Sequence, residues 1–361
     1  MEISMDKFMR AAIAREFGGP LTIEQVPVPQ PGAGEILVKV KACGVCHTDL
    51  HAADGDWPVR PELPFIPGHE VAGVVAAIGP GVRNLKEGDR VGVAWLHDAC
   101  LQCEYCETGW ETLCGHQHNT GYSCDGGFAD YVIANASFAA QLPGHIDFTE
   151  IAPILCAGVT TYKGLKETEA KPGEWVAISG VGGLGHVAIQ YAKAMGLKVI
   201  ALDIVPSKLN LARMAGADIA INAAVPDVVS EVMKVTNGGA HGVLVTAVSP
   251  MAFSQALSLV RKKGTISLVG LPPGQFAAPI FDVVLKRITV RGSIVGTRRD
   301  LDEAIAFAAD RKVKVAVHRV PLEDINQVFS DLKHGRIDGR VVLDMTMEAA
   351  TQKIPIEPLY A

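Results

Sequence analysis

The feature that most constrains this chain is the run Cys100-x2-Cys103-x2-Cys106-x7-Cys114. Four thiolates packed this closely complete a tetrahedron from protein alone, the pattern of a structural zinc with no position left for a substrate. A different pattern accompanies it. Cys46, His69 and Cys156 lie far apart in sequence and make three ligands that leave a fourth position open. Downstream stands Gly180-x-Gly182-x-x-Gly185, a dinucleotide-type glycine loop. An open zinc site and a glycine loop in one chain point to metal-assisted hydride transfer, with two zinc ions per chain and a nicotinamide dinucleotide as cofactors.

At 361 residues the chain is long enough for two domains, each with its own core. Its 39 acidic and 33 basic residues give a net charge of -6, which argues against nucleic acid or an anionic membrane surface as the main partner. The first residues carry no apolar core of signal-peptide length. The longest apolar run, residues 71–79, is far short of a membrane span, so a cytoplasmic protein is expected. Eight cysteines in that compartment stay reduced and favour metal over disulfide.

Between residues 36 and 146, short apolar runs punctuated by glycine and proline predict short, mostly antiparallel strands and a β-rich, barrel-like domain. From 156 to 296, β-type runs at 175–179, 199–203, 219–221, 243–247, 266–269 and 288–294 alternate with helical stretches, the pattern of a doubly wound parallel sheet. Residues 300–310 and 324–334 read as helices, and 340–344 as a strand. The expected fold is therefore α/β. Residues 1–157 form the β-rich catalytic domain, with the four-cysteine lobe at about 97–116; residues 158–296 form a Rossmann dinucleotide-binding domain; residues 297–361 return to the first domain. The tail from Glu348 has two prolines and no clear period, and is expected to drape over a neighbour or be loose.

The glycine loop follows the run 175–179 and opens a helical stretch at Gly185, so it occupies a strand-to-helix turn. Gly180 permits the turn, Gly182 the approach of backbone to a pyrophosphate, and Gly185 the close packing of helix on strand. Gly183 and Leu184 belong to the same turn, and the helix N-terminus faces the phosphate charge. Asp203 ends the second strand of this unit. A carboxylate there accepts ribose hydroxyls and repels a 2′-phosphate, which favours NAD over NADP; a plain turn residue is the alternative.

The segment Cys43-Gly-Val-Cys46-His47-Thr48-Asp49-Leu50-His51 contains a CxxC that invites a redox reading, but it lies between β-type runs, outside a thioredoxin-like context. Cys46 reads as the ligand and Cys43 as a small buried neighbour. His69, in Gly68-His69-Glu70, and Cys156, in Leu155-Cys156-Ala157-Gly158, come from glycine-flanked turns that can aim a side chain into a cleft. Thr48 and His51 stand three apart at a helix start, share a face, and can flank the ribose of a nicotinamide.

These motifs, in this order and together with Leu155-Cys156-Ala-Gly-Val-Thr-Thr-Tyr162, resemble the zinc-dependent medium-chain alcohol dehydrogenases over nearly the whole chain. The short stretch between Cys114 and Cys156 is similar to the tetrameric microbial members. The resemblance implies a GroES-like first domain, a small alcohol or aldehyde as substrate, and a homotetramer. It also implies residue roles. The alcohol proton passes to the Thr48 hydroxyl and through the ribose to His51; Asp49 orients His69; Glu70 approaches the zinc and helps exchange its fourth ligand, the alternative being a buried partner for Arg340. His47 and Arg340 become pyrophosphate contacts, Lys208 lies beside the adenosine end, and Val269 and Val295 lie near the nicotinamide. Trp57 and Trp95 become walls of a narrow pocket that admits small primary alcohols.

The lobe carries Glu104, Glu107 and Glu111 with few basic residues nearby, which favours a structural or interface role over nucleic-acid binding; Cys43 and Cys124 are left without a ligand role. The resulting expectation is an NAD-dependent zinc alcohol dehydrogenase for reversible oxidation of short-chain primary and some secondary alcohols. The alternatives are a related zinc dehydrogenase for a polyol or thiol-conjugated hydroxymethyl substrate, and a non-catalytic protein that binds zinc and NAD.

Overall fold

In a computed structural model that describes residues 7–348, the apolar run beginning at Ile36 lies within one long strand, Glu35–Val45. Glu70–Ile78 pairs antiparallel along one edge of it. Along the other edge lie Tyr131–Asn135 and then Arg340–Asp344, both antiparallel. Register shifts at Leu37/Val38 and Val40/Ala42 bend the strand, and these bulges curl the seven-stranded sheet. Gly73 lies opposite Val40 at this bend, where an added Cβ would stand 2.4 Å from the Lys39 carbonyl oxygen. The expectations for the first six residues and for the tail beyond Glu348 fall outside the described residues.

The segment after residue 310 adds two strands to this sheet, Val317–Val320 and Arg340–Asp344, which run parallel to each other. Val341 pairs with Val45, so Arg340 arrives beside the end of the strand that delivers Cys46. The helix Arg298–Ala309 behaves differently. Its Asp300 and Glu303 each sit 2.7 Å from Lys166 Nζ on the helix Ala157–Glu167, so it packs on the dinucleotide-binding side of the molecule. It begins two residues before the expected start because Thr297 caps it: the Thr297 side chain accepts from the Asp300 amide, and Asp300 accepts from the Thr297 amide.

The second sheet has six parallel strands in the spatial order Ile219–Asn222, Lys198–Asp203, Trp175–Ser179, Ala240–Val245, Val260–Leu268, Thr289–Gly292. In chain order this is 3-2-1-4-5-6, and the reversal falls between Trp175–Ser179 and Ala240–Val245. Ligands bind such sheets at that reversal, outside the carboxyl ends of the strands. The last strand stops at Gly292, short of the expected residue 294, since Val295 leaves extended backbone with φ of +41°. Among the described residues, no helix is long and apolar enough to cross a membrane.

One apolar core joins the two sheets, drawing Ala42, Ala72 and Val342 from the first, Ile178 and Leu244 from the second, and Leu155 and the helical Tyr191 between them. Ile178 is fully buried at the centre of the parallel sheet. Ile178→Ala should cost about 2–5 kcal/mol in stability, measured by urea unfolding. A loss below about 1 kcal/mol would contradict this account of the core.

Candidate metal and dinucleotide site

Cys46 ends the central strand and caps the helix His47–Asp54 in extended conformation, with φ of -119° and ψ of 158°. Three residues on, Asp49 reaches back, and its Oδ2 accepts the Cys46 amide at 2.9 Å. The other oxygen accepts the Gly68 amide at 3.1 Å and the His69 Nδ1–H at 2.7 Å. Gly68 sits at φ of +104°, where its missing Cβ also leaves room for the Phe128 ring. With Nδ1 donating to Asp49, His69 turns its Nε2 lone pair inward, and that atom is buried without a protein partner.

Cys156 enters from a different direction, at the junction between a short 3-10 turn and the helix Ala157–Glu167. Ligand atoms of Cys46, His69, Glu70 and Cys156 all lie within 4.8 Å of one another, and all four residues are buried. Hydrogen bonding to Cys156, opposed by burial, holds the Cys46 thiol well below its ordinary pKa, and the same contact pushes Cys156 up. Two sulfurs and an imidazole nitrogen buried without a hydrogen-bond partner form a donor set that fits zinc. Cys43 faces the core beside Gly127 and Val71, where burial pushes its thiol up, and it contributes nothing to the cluster.

Glu70 combines the two roles that the sequence left as alternatives. Its Oε1 accepts from Arg340 Nη2, while Oε2 is buried without a partner in the ligand cluster. Burial leads in raising its carboxyl to about 7, against the pull of Arg340. For Arg340, burial disfavours the charge, but Glu70, Cys46 and Cys156 outweigh it and hold the guanidinium protonated.

The second cluster gathers Cys100, Cys103, Cys106 and Cys114, again with all ligand atoms within 4.8 Å. The amides of Cys100 and His116 point at Cys114 Sγ from 3.5 and 3.4 Å. The Gln102 amide leads in drawing the Cys100 thiol down to about 6. Four sulfurs with amide donors fit a closed structural zinc. Cys124 lies outside both clusters, with its thiol 3.4 Å from the Asn119 carbonyl oxygen.

The glycine loop lies at the reversal point of the second sheet. A Cβ on Gly185 would stand 1.9 Å from the Gly180 carbonyl oxygen, so helix Gly185–Ala194 can only meet its strand through glycine. Gly183 lies against Arg340, whose Cδ would be 3.0 Å from an added Cβ, and Gly182 faces Lys208 Nζ at 4.0 Å on the same measure. Arg340 therefore touches both the ligand cluster and the glycine loop. Asp203 receives the Val181 amide on Oδ2 at 2.7 Å and the Val205 amide on Oδ1 at 3.0 Å, which anchors its carboxylate across the start of the loop. Leu184 is half-buried at the head of the helix, and His47 is exposed at the head of its own.

Several residues that no sequence pattern singled out contribute. His186 is buried; desolvation leads in lowering its pKa to about 4, and its Nδ1–H donates to the Gly182 carbonyl at 2.9 Å, which braces the loop. Asp56 stands 3.0 Å from His51 Nδ1, brought back by the left-handed turn at Gly55 that ends the helix. Tyr122 fills the space between the two tryptophans, 5.4 Å from the Trp95 ring and 6.0 Å from Trp57. Trp95 meets His69 edge-on at 5.3 Å, and Trp57 stacks on His51 at 5.4 Å. Thr48 is half-buried on the helix turn before His51. Val295 lines a cleft with Trp95 and Leu155, whereas the Val269 side chain packs into the core against Gly164.

Two family patterns match the chain: an alcohol dehydrogenase GroES-like domain over residues 32–144 and a zinc-binding dehydrogenase domain over residues 183–310. An alcohol dehydrogenase from Rhizobium meliloti (strain 1021) is 63% identical over 337 residues, covering 93% of this chain and 99% of that one. The crystal structure of the alcohol dehydrogenase from the archaeon Aeropyrum pernix superimposes with a TM-score of 0.85 at 35% identity, covering 93% and 99% of the two chains. An acetophenone reductase from Geotrichum candidum, solved with NAD, superimposes with a TM-score of 0.83 at 29% identity, covering 94% and 98%.

Asp49→Asn removes one of the acceptors that orient His69 and the Cys46 turn. It should weaken zinc at the Cys46, His69 and Cys156 cluster by about 10–100-fold and spare the four-cysteine lobe. Metal analysis after dialysis against a mild chelator should then give one zinc per chain, against two for the unaltered protein. Two zincs retained in the variant would show that Asp49 does not support the metal.

Proposed function

The chain belongs to the zinc-dependent medium-chain alcohol dehydrogenases, and from that premise we propose that it oxidises short-chain primary alcohols to aldehydes, reversibly, with NAD. The observation that carries this reading is the buried set of Cys46, His69 and Cys156, joined to the glycine loop by Arg340. Cys46, His69 and Cys156 would hold the catalytic zinc, and Cys100, Cys103, Cys106 and Cys114 the structural one. When bound, zinc supplies Lewis acidity toward the alcohol oxygen, and NAD supplies the acceptor for the hydride that leaves the α carbon.

The protein's own residues bind, orient and move the proton. The amides of the Gly180–Gly185 turn, with Gly183 and Leu184, would hold the pyrophosphate, Arg340 would supply positive charge and His47 a ring N–H beside it, and Lys208 would lie beside the adenosine end. Asp203 would receive the ribose hydroxyls on the lone pairs that its two backbone amides leave free. Thr48 would take the hydroxyl proton of the alcohol as it gives up its own toward His51. His51 receives that proton near the surface; Asp56 fixes its Nδ1, which leaves Nε2 to exchange with solvent. Asp49 holds His69 in the tautomer a metal requires, and Glu70, paired with Arg340, has one oxygen free to enter the cluster. Trp57, Tyr122 and Trp95 present a stiff aromatic wall that leaves little room for branching beside the carbinol carbon, with Val295 opposite Trp95 and the Val269 backbone near the nicotinamide.

A homotetramer is supported by two separate apolar surfaces. Ile280, Phe281, Val284 and Leu285 are exposed on one short helix beside the edge strand Thr289–Gly292, and Leu101, Tyr105 and Leu113 are exposed on the four-cysteine lobe. Two different self-complementary faces are what a tetramer of dihedral symmetry needs. A cytoplasmic location is supported by the eight cysteines, all free of disulfide partners.

Formation of reduced nicotinamide with NAD and a graded set of alcohols tests the function. Turnover should fall as the alcohol lengthens and fall further when the carbinol carbon is branched; no turnover with any simple alcohol, at two zincs per chain, would overturn the reading. Asp203→Ala should lower the NAD to NADP preference in kcat/KM by about tenfold or more, and an unchanged ratio would remove Asp203 from coenzyme choice.

A further inference from the structure

The four-cysteine lobe is not an isolated appendage. Between its third and fourth cysteines, Glu111 is only 5% exposed, and its Oε1 receives Arg298 Nε at 3.0 Å. Its other oxygen is buried with no protein partner. The neighbouring Trp110 ring lies under Lys163 Nζ at 4.1 Å, on the helix that Cys156 begins. Arg298 is held from three directions: by Glu111, by the Ser137 carbonyl at 3.2 Å from Nη1, and by the Phe138 ring at 4.7 Å.

Arg298 is the first residue of its helix, three residues past Val295. Val295 is β-branched and occupies the left-handed region at φ of +41°, a conformation that persists only where the surroundings impose it. Gly296 allows no slack on one side, since an added Cβ would stand 2.5 Å from Val159 Cγ2, and the Thr297–Asp300 cap fixes the helix start. On the remaining side stands Arg298, itself paired with Glu111. Val295 and Arg298 line the same cleft as Trp95 and Leu155, the residue before the ligand Cys156.

We propose that Glu111 and Arg298 form a latch through which the four-cysteine lobe holds the Val295 turn in its strained conformation and so sets the wall of the cleft facing Trp95. They act as positioning residues, since neither belongs to the ligand set or the glycine loop. The salt bridge closes on the head of the helix that directly follows the strained Val295 turn, where it can hold that turn as well as add stability. The kinetic half of the proposal rests on the alcohol dehydrogenase reading.

The test uses full-length protein with both zincs confirmed by metal analysis, and the variants Glu111→Gln, Arg298→Met and the two combined, with Arg298→Lys as a milder companion that keeps the charge. Amide exchange across residues 293–298, followed by mass spectrometry, should speed up by about tenfold in Glu111→Gln and Arg298→Met, and less in Arg298→Lys. The ratio of kcat/KM for ethanol over that for a branched alcohol should fall by roughly three- to tenfold, with the combined variant no worse than either single change. A lower melting temperature with exchange at 293–298 and the alcohol ratio both unchanged would overturn the latch, as would faster exchange with an unchanged ratio. An unaltered protein that turns over no alcohol would fail the functional reading instead, and the exchange comparison alone would then decide the latch.

Discussion

The site depends on a single buried carboxylate. Asp49, 1% exposed, gathers the Cys46 amide, the Gly68 amide and His69 Nδ1 on its two oxygens. Two of the donors are backbone amides, one at the end of the central strand and one in the turn before its antiparallel neighbour, and the third is the imidazole of His69 itself. An ionised group this deep is tolerated only when it is fully hydrogen-bonded, and the three donors meet that demand while locking strand, turn and imidazole to one another. A metal site built this way is preorganised, because the ligands are already aimed before an ion arrives.

The second constraint is the pairing of Arg340 with Glu70. The chain returns to the first sheet over its last described residues, and the register that sets Val341 against Val45 puts the guanidinium between the ligand cluster and Gly183. Removing one member of such a buried pair typically costs about 3–5 kcal/mol, since the other is left charged in the interior. The pair thus fixes the separation between the Cys46, His69 and Cys156 cluster and the glycine loop, a separation that direct hydride transfer would require to be short and constant.

Much of this was legible in the sequence because the chemistry demands particular residues at close spacing. Cys100, Cys103, Cys106 and Cys114 lie near enough in the chain to announce a metal on their own, and Gly180, Gly182 and Gly185 announce a phosphate turn once a strand precedes them. The six strands of the second sheet emerged from apolar runs, with boundaries off by a few residues where local backbone chemistry decides: the Thr297 cap starts its helix early, and Val295 stops its strand. What stayed hidden are contacts between distant segments. Glu111 is one of three acids among the lobe's cysteines, and its burial against Arg298 is not written in that spacing; Tyr122 follows no pattern, and Asp56 becomes a partner of His51 only through the turn at Gly55. His186 sat inside the recognised motif, yet its bond to Gly182 depends on a side-chain direction that spacing does not specify.

If the Cys46, His69 and Cys156 cluster and the glycine loop act together, hydride should pass directly from alcohol to coenzyme. The most direct measurement is the fate of deuterium from a primary alcohol labelled at its carbinol carbon, read by mass spectrometry of the nicotinamide product. One deuterium per turnover in the reduced coenzyme, and none released to solvent, is the predicted result. Aldehyde formed with the label appearing in water, or reduced coenzyme formed without label, would contradict it.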